Sequence, residues 1–241
     1  EQIQAEYGDA SDYVPPADGR LAPDRLETFL AVRDAMTGTR EQLADDFLIL
    51  DGKKGGGLDK IKAGIRFLPS LFDFIEDRNR VLMDQGMGLG EYQYIYSLAY
   101  YGFLRRDPAD GPGFTMVDDD DEDDSGWRFE AGVGSEDEDD IRRRRAREVR
   151  RVVNEFQGEV TANHLAALDS DFGDLDGLDR ETWMAQLSTE AASLESEHLK
   201  LLWEDGLPDH VRASLDPFRS RLEASYDPMT SILEMGLINH D

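Results

Sequence analysis

A glutamate and a histidine in the last quarter of the chain have the spacing of metal ligands. Glu195 and His198 are three residues apart, so on a helix both side chains would lie on one face, as in the Glu-x-x-His pairs of di-iron bundles. Such centres need a second pair of this kind, and none of the other three histidines has a glutamate three residues before it. A polar surface on an acidic helix is the alternative interpretation.

Asp174 and Asp176 form a second group of possible metal ligands, in a stretch rich in aspartate and glycine. Carboxylate oxygens suit Ca²⁺, and the glycine after Asp176 aligns with the glycine of an EF-hand loop. The same alignment places Phe172 and Trp183 at the two loop ends, where carboxylates are required. A Ca²⁺ site is therefore one hypothesis, and an interhelical turn capped by Asp179 is the other. The sequence predicts no other cofactor.

Five of the eight tyrosines fall within ten residues, between Tyr92 and Tyr101. Tyr92, Tyr96 and Tyr100 recur at intervals of four, so a helix would present their three rings on one face. The residues between them are largely apolar, which predicts a central helix packed in the core. Because each ring also offers a hydroxyl group, the alternative is a tyrosine-lined pocket for a small molecule or lipid.

Seven arginines occur in the ten residues from 142 to 151, directly after two acidic runs at 118–124 and 136–140. The predicted partner-binding residues in this stretch are Arg142, Arg144, Arg147 and Arg151. Two interpretations are open. The arginines pair with the acidic runs of the same chain, or they form a face that docks the acidic or phosphate groups of a partner.

The charge of the whole chain excludes several classes of partner. Acidic residues outnumber basic ones 53 to 26, giving a formal net charge of −27, so the protein would repel nucleic acids and anionic membranes. An acidic surface of this kind is also consistent with adaptation to high salt. Cysteine is absent, which excludes disulfides, thiolate catalysis and cysteine-bound metals.

Helical periodicity dominates the chain and predicts an all-α fold. We expect an irregular bundle of six to seven helices, with a long helix kinked or broken at Pro69 and a last helix bent at Pro217. Residues 1–20 have no apolar period and predict an extended leader, followed by a single helical domain over 21–241. Residues 107–140 are interpreted as an acidic insert in that domain.

Three segments of the first half resemble uncharacterised bacterial exported or lipid-anchored proteins. These are Leu-Glu-x-Phe-Leu-Ala-Val-Arg from Leu26, Arg-Asn-x-x-Leu-Met-x-x-Gly-Met from Arg78, and Glu-Tyr-x-Tyr-Ile-Tyr-x-Leu-Ala-Tyr from Glu91. The resemblance covers roughly residues 25–105 and implies a helical fold and export. It implies no activity.

The chain has no run of about 20 apolar residues, so no transmembrane segment is predicted. Because the sequence starts at Glu1 without methionine, we expect an exported protein, periplasmic or extracellular, with a lipid anchor before Glu1 as a further expectation. The first functional hypothesis is a non-enzymatic interaction or structural domain with a protein partner. The second is a small-molecule or lipid-binding protein, and the third a metal-dependent enzyme.

Overall fold

The computed structural model describes residues 2–50, 57–108, 110, 116–117, 128–129, 138–170, 175 and 177–235. The helices are α1 (Gln2–Tyr7), α2 (Pro23–Ala35), α3 (Thr37–Leu50), α4 (Gly57–Asp84), α5 (Leu89–Tyr96), α6 (Glu138–Ser170), α7 (Arg180–Ser196), α8 (Asp209–Leu215), α9 (Arg219–Ser225) and α10 (Ser231–Glu234). Two strands, β1 (Met116–Val117) and β2 (Arg128–Phe129), pair antiparallel inside the predicted insert. The all-α prediction is confirmed, with more and shorter helices in the described residues than the six or seven expected.

Prolines set several helix boundaries. Pro23 occupies the first turn of α2, where its missing N–H leaves no bond unmade. Pro217 lies in a short 3₁₀ segment between α8 and α9, so the last predicted helix is interrupted at that residue. In contrast, α4 continues through Pro69, and a break there was the wrong alternative.

Thr39 and Gln42 have the spacing of a capping box, which predicts that the second helix starts at Thr39. This prediction is wrong. Helix α3 begins at Thr37, two residues earlier, which places Thr39 inside the first turn. The Thr39 hydroxyl instead donates to Asp77 on α4 at 3.0 Å. The side chain therefore joins two helices that lie against each other.

The first 20 residues do not form the extended leader expected from their sequence. They contain α1 and a 3₁₀ turn at Ala10–Asp12, and Ile3 is buried in the core. Asn163 on α6 donates to Ser11 O at 2.7 Å, and the indole of Trp183 donates to Ala17 O at 2.9 Å. Apolar burial and these long-range bonds hold the segment against the helical body.

Helix α5 occupies the centre of the core, as the tyrosine-rich sequence predicts. All residues from 92 to 103 are buried. After Tyr96 the helix continues as a π-helix over Ser97–Phe103. Among the described residues, no helix has the length and apolar character that a membrane crossing requires.

Candidate functional site

The π-helix adds a fourth ring to the tyrosine face that helical spacing predicts. In a π-helix the backbone N–H bonds to the carbonyl five residues back, and Leu104 N donates to Ala99 O at 2.9 Å. The ring centroids of Tyr92 and Tyr96 are 6.2 Å apart, and Tyr100 and Tyr101 both lie against Tyr96, with ring centroids 4.6 and 5.8 Å away. The rings of Tyr92, Tyr96 and Tyr100 thus lie together as the spacing predicts, and Tyr101 joins them, which the spacing did not predict.

A buried ion pair lies beside these rings. Arg33 of α2 donates to the carboxylate of Glu234 of α10, and both side chains have 0% exposure. The Tyr92 hydroxyl donates to the second carboxylate oxygen at 2.8 Å. Arg33 also donates to Ser225 O at 2.5 Å. We call Arg33, Arg78, Tyr92, Tyr96 and Glu234 the polar centre.

Arg78 of α4 is the second fully buried guanidinium of the polar centre. It donates to Leu233 O at 2.9 Å, one residue before the carboxylate of Glu234. Burial lowers the Arg78 pKa, and Glu234 acts in the opposite direction. Burial also disfavours the charged form of Arg33, but the adjacent Glu234 carboxylate favours it, and the Arg33 pKa lies well above its usual value.

The tyrosine hydroxyls near the polar centre differ in their hydrogen bonds. The Tyr100 hydroxyl lies 2.7 Å from Ser225 Oγ, and the Tyr101 hydroxyl lies 3.0 Å from Ser231 Oγ. The Tyr96 hydroxyl is buried and has no hydrogen-bond partner within the described part of the chain, and the same holds for Arg33 Nε. Tyr92, Tyr96 and Tyr100 all have 0% exposure, which favours core packing over an open pocket.

Burial keeps these phenols protonated at neutral pH. It raises the pKa of Tyr92 and of Tyr96 well above the usual value, because a phenolate would lose its solvation in the core. Glu234 raises both values further, while Arg33 lowers them. The protonated Tyr92 hydroxyl donates to Glu234 and accepts from Arg33 at 3.3 Å.

The arginine-rich part of α6 presents an exposed face. Arg143, Arg147 and Arg151 are exposed and recur every four residues, so they lie along one side of the helix. Arg147 donates to Arg143 O at 3.3 Å, and Arg151 lies 3.7 Å from the carboxylate of Glu155. We call these three arginines the basic stripe.

The predicted partner-binding arginines only partly coincide with the basic stripe. Arg147 and Arg151 are exposed as expected, whereas Arg144 is half-buried. The side chain of Arg142 lies outside the described residues. Arg143, which the sequence analysis did not select, is exposed; its interval of four from Arg147 was the signal that could have identified it.

The predicted helical Glu195 and His198 pair does not form. Apolar residues at helical spacing predict a helix from Arg180 to Glu204, but α7 ends at Ser196. His198 therefore lies beyond the helix, and the side chains of Glu195 and His198 are exposed. Asn154 of α6 ends the helix by donating to Leu194 O at 3.1 Å and to Lys200 O at 2.8 Å. These bonds satisfy carbonyls that a longer helix would have used.

The structure does not test the other predicted metal ligands. Asp174 and Asp176 lie outside the described residues. In the part of the chain that the structure describes, no three histidine, aspartate or glutamate side chains are grouped so that they could hold a metal ion. Asp179 caps α7 as the alternative interpretation predicts, accepting from Thr182 N at 2.9 Å.

The loop after α7 forms an open surface cavity of about 510 Å³ that sequence reasoning missed. Its lining residues are Glu197, His198, Leu199, Lys200, Glu204 and Asp205. Trp203 adopts a left-handed φ of 57°, and its N–H donates to the buried Glu190 at 2.6 Å. Arg150 fixes the loop to α6 through a 2.7 Å bond to Glu204.

A cluster of aromatic side chains lies between the N-terminal segment and α7. Trp183 stacks on Trp203 with ring centroids 5.9 Å apart and meets the edge of His210 at 4.8 Å. His164 lies 5.9 Å from the same indole, and its Nε2 is 3.1 Å from Ala17 O. Two imidazoles are thus partly removed from water beside one tryptophan.

Acidification is expected to destabilise the protein through these histidines. Burial lowers the pKa of His164 and the pKa of His210. Ala17 and Asp18 act to raise the pKa of His164, but burial has the larger effect. Below about pH 6.5 the unfolded chain therefore takes up protons before the folded chain does, so stability falls as pH falls. Urea unfolding between about pH 7 and pH 5 measures this loss. His164→Gln is expected to flatten the profile, and an unchanged slope in that variant would contradict the assignment to His164.

Comparisons of the chain with protein families, curated proteins and solved structures found no match in any of the three. The polar centre and the basic stripe are therefore the two features of the molecule that bear on its function.

Proposed function

We propose that this chain is an interaction domain that docks an acidic partner protein on the basic stripe. The observation that supports the proposal is the exposure of Arg143, Arg147 and Arg151 along one side of α6. Guanidinium groups bind carboxylates through two parallel hydrogen bonds, which favours acidic side chains as the matching chemistry. Export is a prediction from the sequence alone and is separate from this proposal.

The net charge of −27 acts against an acidic partner, so docking depends on the charges close to the stripe. Salt at about 0.1 M screens charges beyond about 10 Å. Seven arginines lie within the ten residues from 142 to 151, next to the acidic run at 136–140, so a carboxylate beside Arg147 and Arg151 has several arginines within that range. The remaining acidic surface then repels acidic molecules everywhere else, which makes the stripe selective.

The inner side of α6 fixes the direction in which the stripe points. Val149, Val153 and Val160 are buried in the core. Arg150 crosses to the loop after α7, where it bonds Glu204 and, at 3.2 Å, Leu199 O. A helix held on its inner side presents its outer arginines with little reorganisation, which reduces the entropic cost of binding.

Reversing the stripe is expected to abolish the binding of acidic ligands. The variant Arg143→Glu, Arg147→Glu, Arg151→Glu removes three ion pairs between the stripe and the acidic ligand, each contributing about 0.5 kcal/mol at an exposed surface. We therefore expect at least a tenfold weaker affinity, since about 1.4 kcal/mol corresponds to a factor of ten. Fluorescence anisotropy of a labelled poly-glutamate peptide measures the change.

A matched variant controls for total charge. Arg80, Arg219 and Arg221 are exposed on other elements, and their replacement by glutamate changes the net charge by the same amount. This control is expected to bind the peptide like the wild type. Equal losses in both variants, or no loss in the stripe variant, would contradict docking at the stripe. Circular dichroism of each variant checks that the helical fold is intact.

A further inference from the structure

The Glu234 carboxylate of the polar centre lies on α10, the last described helix. Helix α10 has only four residues and follows α9 after a turn that contains Pro228. Glu234 meets Arg33 across 201 positions of sequence, and the Leu233 carbonyl meets Arg78 across 155. A short terminal segment is thus inserted into a site that α2, α4 and α5 build.

The donors of this site exceed what the inserted segment uses. Arg33 and Arg78 are two fully buried cations; Arg33 pairs with Glu234, whereas Arg78 donates to Leu233 O and to Asn79 Oδ1. Among the described residues, Arg33 Nε and the buried Tyr96 hydroxyl have no hydrogen-bond partner. The Arg33 guanidinium carbon lies 5.3 Å from the centroid of the Tyr96 ring, so both unused donors belong to one site.

An unmatched buried donor or cation is costly, because it gives up its hydration without a replacement. Binding Glu234 alone would require fewer hydrogen-bond donors than this site contains. Arg33 and Tyr92 donate to the two oxygens of Glu234, and Arg33 Nε and the Tyr96 hydroxyl are further donors beside a carboxylate, which accepts bonds at about four positions.

We propose that Arg33, Tyr92 and Tyr96 form a carboxylate-binding site that the chain fills with its own Glu234, while Arg78 holds the adjoining Leu233 carbonyl. The ligand class is a carboxylate on a short aliphatic group, such as acetate or an acidic side chain. The site is buried and lies on other elements than the basic stripe, so it does not depend on the proposed function.

Chemical rescue tests this site in the full chain. Glu234→Ala removes the carboxylate and the adjoining methylene, which together have the size of acetate, and leaves every donor in place. We expect the midpoint of thermal unfolding to fall on the order of 10 °C, since breaking a buried pair is strongly destabilising. Acetate at about ten times its Kd is expected to raise the midpoint by about 3 to 5 °C.

The comparison ligands decide the outcome. Acetamide has the shape of acetate without the charge, and chloride at equal ionic strength controls for salt; neither is expected to raise the midpoint beyond its effect on the wild type. The variant Arg33→Met, Glu234→Ala lacks the main cation, and acetate is expected not to rescue it. If Glu234→Ala does not fold in buffer, its near-ultraviolet circular dichroism is expected to recover in acetate and not in acetamide. An equal response to acetate, acetamide and chloride would overturn the proposal.

Discussion

Replacing Arg33 with methionine is expected to lower the free energy of unfolding by about 3 to 5 kcal/mol, because it leaves a buried carboxylate without its cation. The methionine keeps most of the apolar stem, so the loss reports the charge and its hydrogen bonds. Those bonds reach Glu234 and Ser225 O, and the guanidinium also lies 5.5 Å from the centroid of the Tyr100 ring. Urea unfolding of the variant and the wild type measures the difference.

A double-mutant cycle separates the pair from its surroundings. Arg33→Met with Glu234→Gln is expected to be less destabilising than the sum of the two single changes, because neither charge is then left alone. A coupling of about 0.5 to 3 kcal/mol is typical of residues in contact. Arg221→Met provides the surface control, since its pair with Glu27 is exposed on both sides, and it is expected to leave stability nearly unchanged. Strictly additive effects would contradict the buried pair.

Gly90→Ala is expected to loosen the N-terminal segment from the core. A Cβ atom at Gly90 would lie 2.1 Å from Ala10 O and 2.8 Å from Tyr13 Cβ. The first of these contacts is with backbone, so the 3₁₀ turn must move away from α5. We expect the free energy of unfolding to fall by at least about 1 to 3 kcal/mol. Amide exchange over residues 10–13 is expected to become faster.

Gly158→Ala is the matched control for that change. Gly158 lies inside α6, and in the described residues no atom other than its chain neighbours and its own helix backbone lies within 4 Å of the position that its Cβ would take. Alanine is preferred over glycine inside helices by about 0.8 to 1 kcal/mol, so this variant is expected to gain stability. If Gly90→Ala also gained stability, the close approach of α5 and the N-terminal segment would be wrong.

The sequence predicted the helices whose signals are local. Pro23 and the apolar spacing after it placed α2, and the cluster from Tyr92 to Tyr101 identified the central helix. The change to a π-helix at Ser97 was not predicted, because apolar residues on all sides of the segment fit either helical register. Packing by neighbouring helices determines that register, and a single sequence does not contain it.

The polar centre was missed because its members are far apart in the sequence. Arg33 comes directly after a run of apolar residues in the sequence of its helix. Glu234 is the one charged residue between Met229 and Leu237. A lone charge in an apolar tail was the available signal that Glu234 has a buried partner. Neither residue indicates the other, since 201 positions separate them.

The other incorrect predictions concern the end of α7 and the structure of the N-terminal segment. The extension of α7 to Glu204 followed from apolar spacing, but Asn154 of another helix ends it at Ser196. Residues 1–20 lack an apolar period because they pack through single side chains such as Ile3 and through backbone carbonyls. In both cases distant residues decide the local structure.

The most direct test of the proposed function is a peptide titration at about 0.1 M salt, where only nearby charges act. Wild type, stripe variant and charge-matched control are compared with the same labelled poly-glutamate peptide. Docking on the basic stripe predicts similar binding to wild type and control and at least about tenfold weaker binding to the stripe variant, as expected for the loss of three ion pairs. Binding that is unchanged in the stripe variant, or lost equally in the control, would contradict it.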